Sequence, residues 1–243
     1  EMFFGNFDAF NYADRYQVPV LMLYDRHQGT MYTTVPPFDT SQLKIDRGKY
    51  FDPAQHNGEP FMRYQFTDDG ISPRSHPGQE GGVFWSTSDE HDQIGHITEG
   101  IGNRLEMMKK RMGKLALIAK EIPAEKKFNL IGKKKAPVTV LCWGSTKGAV
   151  VDALKKLDPT GENYNCIHFR IVHPFPEETK EILEAAAKIV SIDGSFSPQI
   201  AQVVREKIGV WANHRVVKHD GRPFSEDEIA LALEKATADG PEE

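Results

Sequence analysis

The sequence predicts an α/β protein whose C-terminal part is a parallel sheet covered by helices on both sides. Three runs carry this prediction, at residues 138–143, 166–172 and 188–192, and they are apolar almost throughout. Such runs are typical of strands buried on both faces. Each run ends in a turn, and a helical pattern follows it. Strands and helices that alternate at this spacing indicate a parallel sheet with crossover helices.

The helices of this region have their own start signals. A helix that follows Gly148 and ends at Leu157 is predicted after the first strand, and a helix over 177–187 after the second. Ser197 is a good N-cap residue and Pro198 suits the first helical position, which predicts a helix that ends at Ile208. Ser225 and Glu228 have the spacing of a capping box before the last helix. We expect the final Gly-Pro-Glu-Glu to be frayed.

Composition limits the classes of function. The 243 residues carry 30 basic and 35 acidic side chains, for a net charge of −5, which argues against bulk nucleic-acid binding. No stretch approaches the roughly 18 apolar residues of a membrane-spanning helix. Two cysteines, Cys142 and Cys166, are too few for a disulfide framework or a four-cysteine iron–sulfur site. This usage suits a reducing, cytoplasmic location.

Residues 1–27 resemble the end of a larger domain. An amphipathic helix is predicted first, and the apolar run 18–24 has the character of a buried parallel strand. A parallel strand needs neighbours, yet no similar run follows for over a hundred residues. We therefore predict the last α–β unit of a domain whose earlier part lies outside this chain.

Residues 28–136 are predicted to be an irregular segment that wraps a neighbour. Proline and glycine recur up to about residue 92, with short strand-like pieces at 61–64 and 82–85. A long helix is expected over 97–119. Residues 120–137 are rich in lysine, and a solvated linker is favoured there over an RNA contact. The domain boundary is placed at residue 137.

One loop could bind an anion. Gly144, Ser145 and Thr146 open the segment up to Gly148, between a predicted strand and a helix, where backbone N–H groups and the helix dipole favour negative charge. The glycine spacing matches neither a Walker loop nor a full dinucleotide fingerprint. A tight turn capped by Ser145 or Thr146 is the favoured interpretation, with phosphate or carboxylate binding as the alternative.

Two polar blocks lie in the irregular segment. The first, Asp68–Arg74, lacks the alternating ligands of a calcium loop, and we expect a turn on Asp69 and Gly70 that leaves Arg74 to pair with a carboxylate or phosphate. The second is the densest group of metal-ligand residue types. Capping and hydrogen bonding are favoured over a metal site there, because its two histidines are five residues apart and would diverge on a helix. Its members are Asp89, Glu90, His91, Asp92, His96 and Glu99.

These features together resemble a known family. Residues 9–20 are similar to the helix and strand that open this region in the α subunit of 2-oxoacid:ferredoxin oxidoreductases, including 2-oxoglutarate:ferredoxin oxidoreductase. The resemblance covers nearly the whole chain. Its two most specific blocks are demanded by no general rule of folding, and they contain Gly70, Ser72, Pro73, Arg74, Asp89, Glu90 and His91.

The resemblance implies part of an enzyme that uses thiamine diphosphate. Such enzymes convert a 2-oxoacid and CoA to acyl-CoA and CO2 and reduce ferredoxin. Residues 1–27 would be the truncated end of the pyrimidine-side thiamine-diphosphate-binding domain, 28–136 the wrapping segment, and 137–243 a three-layer domain like the C-terminal domain of transketolase. The family's substrate-binding motifs do not occur in this sequence. No catalytic residue is therefore carried over, and we expect the chain to be an assembly scaffold that is inactive alone.

The resemblance also implies partners. Thiamine diphosphate, Mg²⁺ and an iron–sulfur cluster would belong to the parent complex, with none bound by this chain alone. The β subunit would be a direct partner, and ferredoxin would be reached through the complex. The sequence departs from the family pattern at two predicted strand ends, residues 24–27 and 193–195, where ligands or partner subunits meet such domains.

Three other hypotheses remain open from sequence. The chain could be an independent α/β module that binds phosphate or a nucleotide at 144–148. A metal-dependent hydrolase could be built around Asp89, His91 and His96. A homodimer could form through the apolar face of residues 1–27, with no nucleic acid or membrane involved in any of these cases.

Overall fold

The computed structural model describes residues 1–238, and the predicted frayed end lies outside them. The helices are α1 (Met2–Tyr16), α2 (Arg26–Thr30), α3 (Ile101–Glu121), α4 (Ala124–Lys127), α5 (Thr146–Leu157), α6 (Thr179–Ala185), α7 (Gln199–Ile208) and α8 (Glu226–Ala238), with a short 3-10 helix at Pro53–Gln55. The strands are β1 (Phe128–Ile131), β2 (Val138–Trp143), β3 (Tyr164–Phe169), β4 (Lys188–Asp193) and β5 (His214–Val217). Among the described residues, no helix is long and apolar enough to cross a membrane.

The chain divides into two compact units. The first contains Glu1–Leu23 and Thr34–Glu121, and the second contains Tyr24–Thr33 together with the chain from Ile122 onward.

The second unit is built on a five-stranded sheet in the order β1-β3-β2-β4-β5. Strands β2 to β5 are parallel, and β1 pairs antiparallel with β3 at the edge. This arrangement confirms the predicted α/β class with a mostly parallel sheet. The crossover helices supply the covering that a parallel sheet needs on both faces.

Two apolar cores cover the two faces of this sheet. Val140 and Cys142 of β2 pack with residues of α5 and α8, whereas Leu141 of the same strand packs with residues of α6 and α7. Successive side chains of a strand point to opposite faces, so a mostly apolar strand contributes to both cores. Leu141 and Ile167 are fully buried. Each such side chain contributes roughly 1.5–3 kcal/mol of hydrophobic stabilisation.

The structure differs from the sequence prediction in the connector 120–137. This segment contains α4 and the edge strand β1. Its Lys127 is almost completely buried and contacts the Glu178 carboxylate, so the interpretation of a solvated linker is wrong at this residue. A four-residue edge strand flanked by lysines carries too weak a periodic pattern to be recognised. The short strand β5 escaped prediction for the same reason.

Helix starts in the second unit agree only in part with the predicted caps. The capping box before α8 is confirmed, because the Ser225 amide donates to Glu228 Oε2 at 2.8 Å and the Glu228 amide donates to Ser225 Oγ at 3.2 Å. At α7 the prediction is wrong, since Pro198 is the N-cap and makes no side-chain bond. Asp193 Oδ1 accepts from the Ile200 amide instead, at 3.2 Å.

The first unit contains α1, α3 and mostly irregular chain. The short strands predicted at 61–64 and 82–85 are not formed, and two isolated bridges occur instead, Tyr50 with Arg74 and His91 with Ile97. The apolar run after α1 forms no helix and pairs with no strand among residues 1–238, and Leu21 is 84% exposed. A strand exists only when a neighbour completes its hydrogen bonds.

Helix α3 holds the irregular loops of this unit by side-chain hydrogen bonds. Lys110 Nζ donates to the Tyr64 carbonyl at 2.8 Å, and Lys114 Nζ donates to the Gln17 carbonyl at 2.8 Å. The chain also approaches α3 closely at Gly70, where φ is +70° and an added Cβ would lie 3.1 Å from the Lys110 carbonyl oxygen. Glycine is required at this position by both conformation and space.

We expect Gly70→Ala to lower the free energy of unfolding by about 1–3 kcal/mol, because a side chain is strained at this φ. The matched control is Gly113→Ala on α3, where an added Cβ meets nothing within 4 Å. This control should stabilise the protein by up to about 1 kcal/mol, since alanine favours helix over glycine. Urea denaturation measures both variants. Equal effects would show that the contact at Gly70 does not matter.

Candidate functional site

The C-terminal ends of β2 and β4 form the topological switch point of the sheet. From β2 the chain passes through α5 to β3 on one side, and from β4 it passes through α7 to β5 on the other side. The two connections therefore leave adjacent strands in opposite directions. Open α/β sheets bind ligands in the crevice at such a point.

The loop after β2 is shorter than the sequence predicts. It consists of Gly144, with φ of +59°, and Ser145, because α5 begins at Thr146 and already includes Gly148. Neither candidate cap forms, since no side chain caps α5 at Ser145 and the Thr146 hydroxyl donates back to the Trp143 carbonyl at 2.6 Å. The backbone N–H groups at the start of α5 are therefore not bonded by either candidate side chain.

A carboxylate of the chain itself occupies this turn. Asp25 Oδ2 accepts from the Ser145 amide at 3.2 Å, while Asp25 Oδ1 accepts from the Gln28 amide at 2.8 Å and caps α2. Burial would raise the pKa of Asp25, but the hydrogen bonds from Ser145 and Gln28 outweigh it and leave this pKa lowered. The turn thus favours negative charge, as expected of a strand-to-helix turn. Whether Gly144, Ser145 and Thr146 bind an external ligand stays a prediction.

A second carboxylate, Asp193, ends β4 at the same point. It is fully buried, and its Oδ1 accepts from Trp143 Nε1 at 3.0 Å as well as from the start of α7. Burial raises the pKa of Asp193 despite these hydrogen bonds. The side chain thereby ties β2, β4 and α7 together. Sequence reasoning marked both Asp25 and Asp193 only as departures from a family pattern.

In the first unit, the block 67–74 is a turn fixed to its surroundings. Asp69 Oδ1 accepts from the Ile71 amide at 3.0 Å, as expected of a turn on Asp69 and Gly70. Buried Ser72 donates to the Gln65 carbonyl at 2.8 Å. After Pro73, Arg74 Nη1 contacts Asp14 Oδ1 at 3.0 Å. Arg74 therefore pairs with a carboxylate of the same unit, one of the two partners that the sequence suggested.

The block 88–91 is held to α3 through Glu90. Its carboxylate accepts from Arg104 at 2.7 Å and from Arg111 at 3.0 and 2.7 Å. These guanidinium groups, Arg111 foremost, lower the pKa of Glu90 to about 2. A bidentate arginine contact of this kind fixes geometry as well as charge. Glu90 therefore has a structural role in this unit.

The remaining candidate ligands of this block do not converge on a metal. His91 Nδ1 lies 3.1 Å from the Asp89 carbonyl, and its ring stacks obliquely at 4.1 Å from that of Tyr64. Residues 1–238 contain no group of three or more His, Cys, Asp or Glu side chains that could hold a metal ion. A cavity of about 270 Å³ is present, lined by Asp89, Glu90, Ile97, Thr98, Glu99 and Arg104.

The blocks 67–74 and 88–91 therefore both contact α3. Ser72 accepts from Lys110 and Glu90 accepts from Arg111, which are successive residues of α3. Sequence analysis missed the importance of Lys110 and Lys114, because cations on a long helix usually indicate a solvated face. Their spacing of four residues, which places them on one face of α3, was the available signal.

We expect Glu90→Gln to lower the free energy of unfolding by about 1–2 kcal/mol at pH 7. The folded-state pKa of about 2 lies below the ordinary 4.5. The stabilisation is therefore fully present above pH 4.5 and is lost as the pH falls towards 2. Denaturation of both proteins between pH 3 and 7 checks this. The control Glu106→Gln removes an exposed carboxylate of α3 and should show a small, constant difference. A difference for Glu90→Gln that stays constant with pH would contradict the ion-pair interpretation.

We expect Asp25→Ala to open the turn at Gly144 and Ser145 to external anions. Added phosphate should then shift the Ser145 amide resonance in NMR spectra of the variant and leave it unchanged in the original protein. The physical reason is that the amide loses its internal carboxylate but keeps its position before α5. Asp220→Ala, which removes an exposed carboxylate elsewhere in the second unit, should behave like the original protein. The same response in all three proteins would contradict the role of Asp25.

The sequence of this chain is similar to those of known proteins. No protein-family model matches the chain. The α subunit of 2-oxoacid:ferredoxin oxidoreductase 1 from Sulfurisphaera tokodaii is 33% identical over 96% of this chain, which corresponds to 36% of that subunit. The α subunit of 2-oxoacid:ferredoxin oxidoreductase 2 from Aeropyrum pernix is 33% identical over 100% of this chain and 37% of its own length.

A solved structure shares the fold. The 2-oxoglutarate:ferredoxin oxidoreductase from Magnetococcus marinus, solved with 2-oxoglutarate, coenzyme A and succinyl-CoA bound, superposes with a TM-score of 0.82 at 23% identity. The superposition covers 93% of this chain and 38% of that chain. The chain thus spans little more than a third of the proteins it matches, and the match is nearly continuous along its length. This chain is a homologue of the matched part of the α subunit in the 2-oxoacid:ferredoxin oxidoreductase family.

Proposed function

We propose that this chain is part of the α subunit of a 2-oxoacid:ferredoxin oxidoreductase that depends on thiamine diphosphate. In this function a 2-oxoacid and CoA are converted to acyl-CoA and CO2, and ferredoxin is reduced. The observation that carries the proposal is 33% identity with α subunits over 96–100% of the chain. The ligands of the related Magnetococcus enzyme, 2-oxoglutarate and coenzyme A, support a 2-oxoacid and CoA as substrates.

The contribution of this chain is that of an assembly scaffold. Thiamine diphosphate, Mg²⁺ and the iron–sulfur cluster would be held by the complex, which includes a β subunit and passes electrons to ferredoxin. Within the chain, the side chains with the strongest interactions hold structure together. Glu90 binds two arginines of α3, and Asp193 joins two strands and a helix. The proposed location of the complex is the cytoplasm, in keeping with the two free cysteines.

We further propose that residues 1–27 complete the pyrimidine-side thiamine-diphosphate-binding domain. The run 18–24 supports this role, because Leu21 and Leu23 are 84% and 73% exposed although the segment has the composition of a buried strand. An extended apolar segment can add as a strand to the edge of another sheet. Residues 137–243 would then be the part that is like the C-terminal domain of transketolase.

The test is purification of the chain from its source under anaerobic conditions. The proposal expects it to co-elute with a chain that carries an iron–sulfur chromophore, and expects the complex to reduce viologen only when a 2-oxoacid and CoA are both present. The isolated chain should be inactive. Turnover by the isolated chain would overturn the scaffold role, and a complex without 2-oxoacid-dependent reduction would overturn the proposed activity.

A matched pair of variants tests the role of residues 18–24. Leu21→Asp places a charge on a side chain that is 84% exposed, and Val83→Asp does the same at one that is 85% exposed. Both should leave the melting temperature of the isolated chain unchanged. Leu21→Asp should abolish co-elution of the complex, since a strand buried in a partner sheet does not accept an unpaired charge. Val83→Asp should not. Equal behaviour of the two variants would remove the proposed strand addition.

A further inference from the structure

A group of three cations in the first unit makes no ion pair with a carboxylate among the described residues. The cationic cluster consists of Arg63, from an irregular loop, and Lys110 and Lys114, one turn apart on α3. All three side chains are only partly exposed. Arg63 and Lys110 meet at Tyr64, whose ring centroid lies 5.3 Å from the Arg63 guanidinium carbon and whose carbonyl accepts from Lys110 Nζ at 2.8 Å.

The hydrogen bonds of the two lysines go to neutral oxygens. Lys110 Nζ donates to the Tyr64 carbonyl and to the Ser72 hydroxyl. Lys114 Nζ donates to the carbonyls of Tyr16 and Gln17, at 3.2 and 2.8 Å. An ammonium group has three protons. Each lysine donates two of them in these hydrogen bonds and has one left for a ligand.

The guanidinium group of Arg63 makes no hydrogen bond or ion pair within residues 1–238. Its guanidinium carbon lies 5.3 Å from the centroid of the Tyr64 ring and 5.9 Å from that of Phe84. Both rings thus lie near the guanidinium group. Its nitrogens are not among the buried, unpartnered atoms of the described residues, so its donors are accessible to a ligand.

Other arginines of the same unit show the contrast. Arg15 pairs with Asp46, and Arg74 pairs with Asp14. Arg104 and Arg111 share Glu90. Arg47 also pairs with Asp14. Arg63 is therefore the exception among the arginines of the first unit.

Burial and the neighbouring positive charges lower the pKa values of the two lysines. Burial, and then the charges of Lys114, Arg63 and Arg111, lower the pKa of Lys110 to about 8. Burial also lowers the pKa of Lys114, with the charges of Arg63 and Arg111 adding to the effect. A bound anion would reverse this repulsion, because an opposite charge favours the protonated lysine.

We propose that the cationic cluster of Arg63, Lys110 and Lys114 binds a phosphate group, either free phosphate or the phosphate monoester of a larger ligand. Three cations match a dianion better than a single carboxylate. The planar fork of Arg63 suits two phosphate oxygens, and the remaining lysine protons suit the others. The rings of Tyr64 and Phe84 offer an apolar wall to the rest of a larger ligand. This site goes beyond the proposed function and does not require it.

The test is isothermal titration of the chain with inorganic phosphate in a low-salt, non-phosphate buffer, with sodium chloride at equal ionic strength as reference. Arg63→Gln should weaken phosphate binding by about tenfold or more, since a charge-assisted bidentate contact is lost. The matched control Lys109→Gln removes an exposed charge from the same helix and should bind like the original protein. Equal affinity of Arg63→Gln and Lys109→Gln, or no heat beyond that of chloride, would overturn the proposal.

A second measurement does not depend on a variant that folds. The pKa of the Lys110 ammonium, followed by NMR in the original protein, should rise from about 8 towards its ordinary 10.5 when phosphate is added. An unchanged pKa at saturating phosphate would overturn the site. Neither measurement uses ferredoxin, CoA or a β subunit, so this proposal and the proposed function can fail separately.

Titration with AMP identifies the source of the phosphate. Binding of AMP that is tighter than that of inorganic phosphate supports a phosphorylated ligand that also uses the aromatic wall, and equal or weaker binding supports free phosphate. Glutarate serves as a dicarboxylate without phosphorus. Binding of glutarate in place of phosphate would overturn the assignment of the ligand class.

Discussion

The hydrogen bonds from Lys110 and Lys114 to backbone carbonyls are the constraint on which the first unit depends. This unit has two long helices and no sheet, so no ladder satisfies the backbone of its irregular loops. Buried carbonyls still need donors, and α3 supplies them through its lysines. A lysine whose ammonium group donates to backbone carbonyls does not form an ion pair with a carboxylate. The same bonds that order the loops therefore concentrate positive charge on one face of α3.

In the second unit, the backbone hydrogen bonds are satisfied in a different way. Its ladders satisfy the backbone along the strands, and side chains are needed only where strands end. Two carboxylates act there, Asp25 on the turn after β2 and Asp193 at the start of α7. A carboxylate held within the chain competes with an external anion at high effective concentration. The switch point of this sheet is thus partly occupied by the protein itself, whereas the cationic cluster of the first unit has no such occupant among the described residues.

The sequence predicted the elements with strong local signals. Strand β2 is mostly apolar, β4 has the apolar centre Ile189 and Val190, and the capping box of α8 depends on residues three apart, so short windows suffice for all three. The contact of Asp25 with Ser145 joins residues 120 apart and could not be read from either neighbourhood. The same limit applies to Arg63, whose lack of a counter-charge is a property of its three-dimensional surroundings. Local patterns predict what a segment forms, and they do not predict which charges find partners.

Residues 18–24 show the opposite relation between sequence and structure. Their composition predicts a buried strand more clearly than that of β1 or β5, yet the two weaker segments are strands and the stronger one is unpaired. Edge strands form because β3 and β4 offer them hydrogen bonds, whereas the run 18–24 has no such neighbour among residues 1–238. An apolar segment with 84% of Leu21 in contact with solvent is costly unless a partner covers it. The disagreement between its sequence and its structure therefore supports the proposed role in assembly.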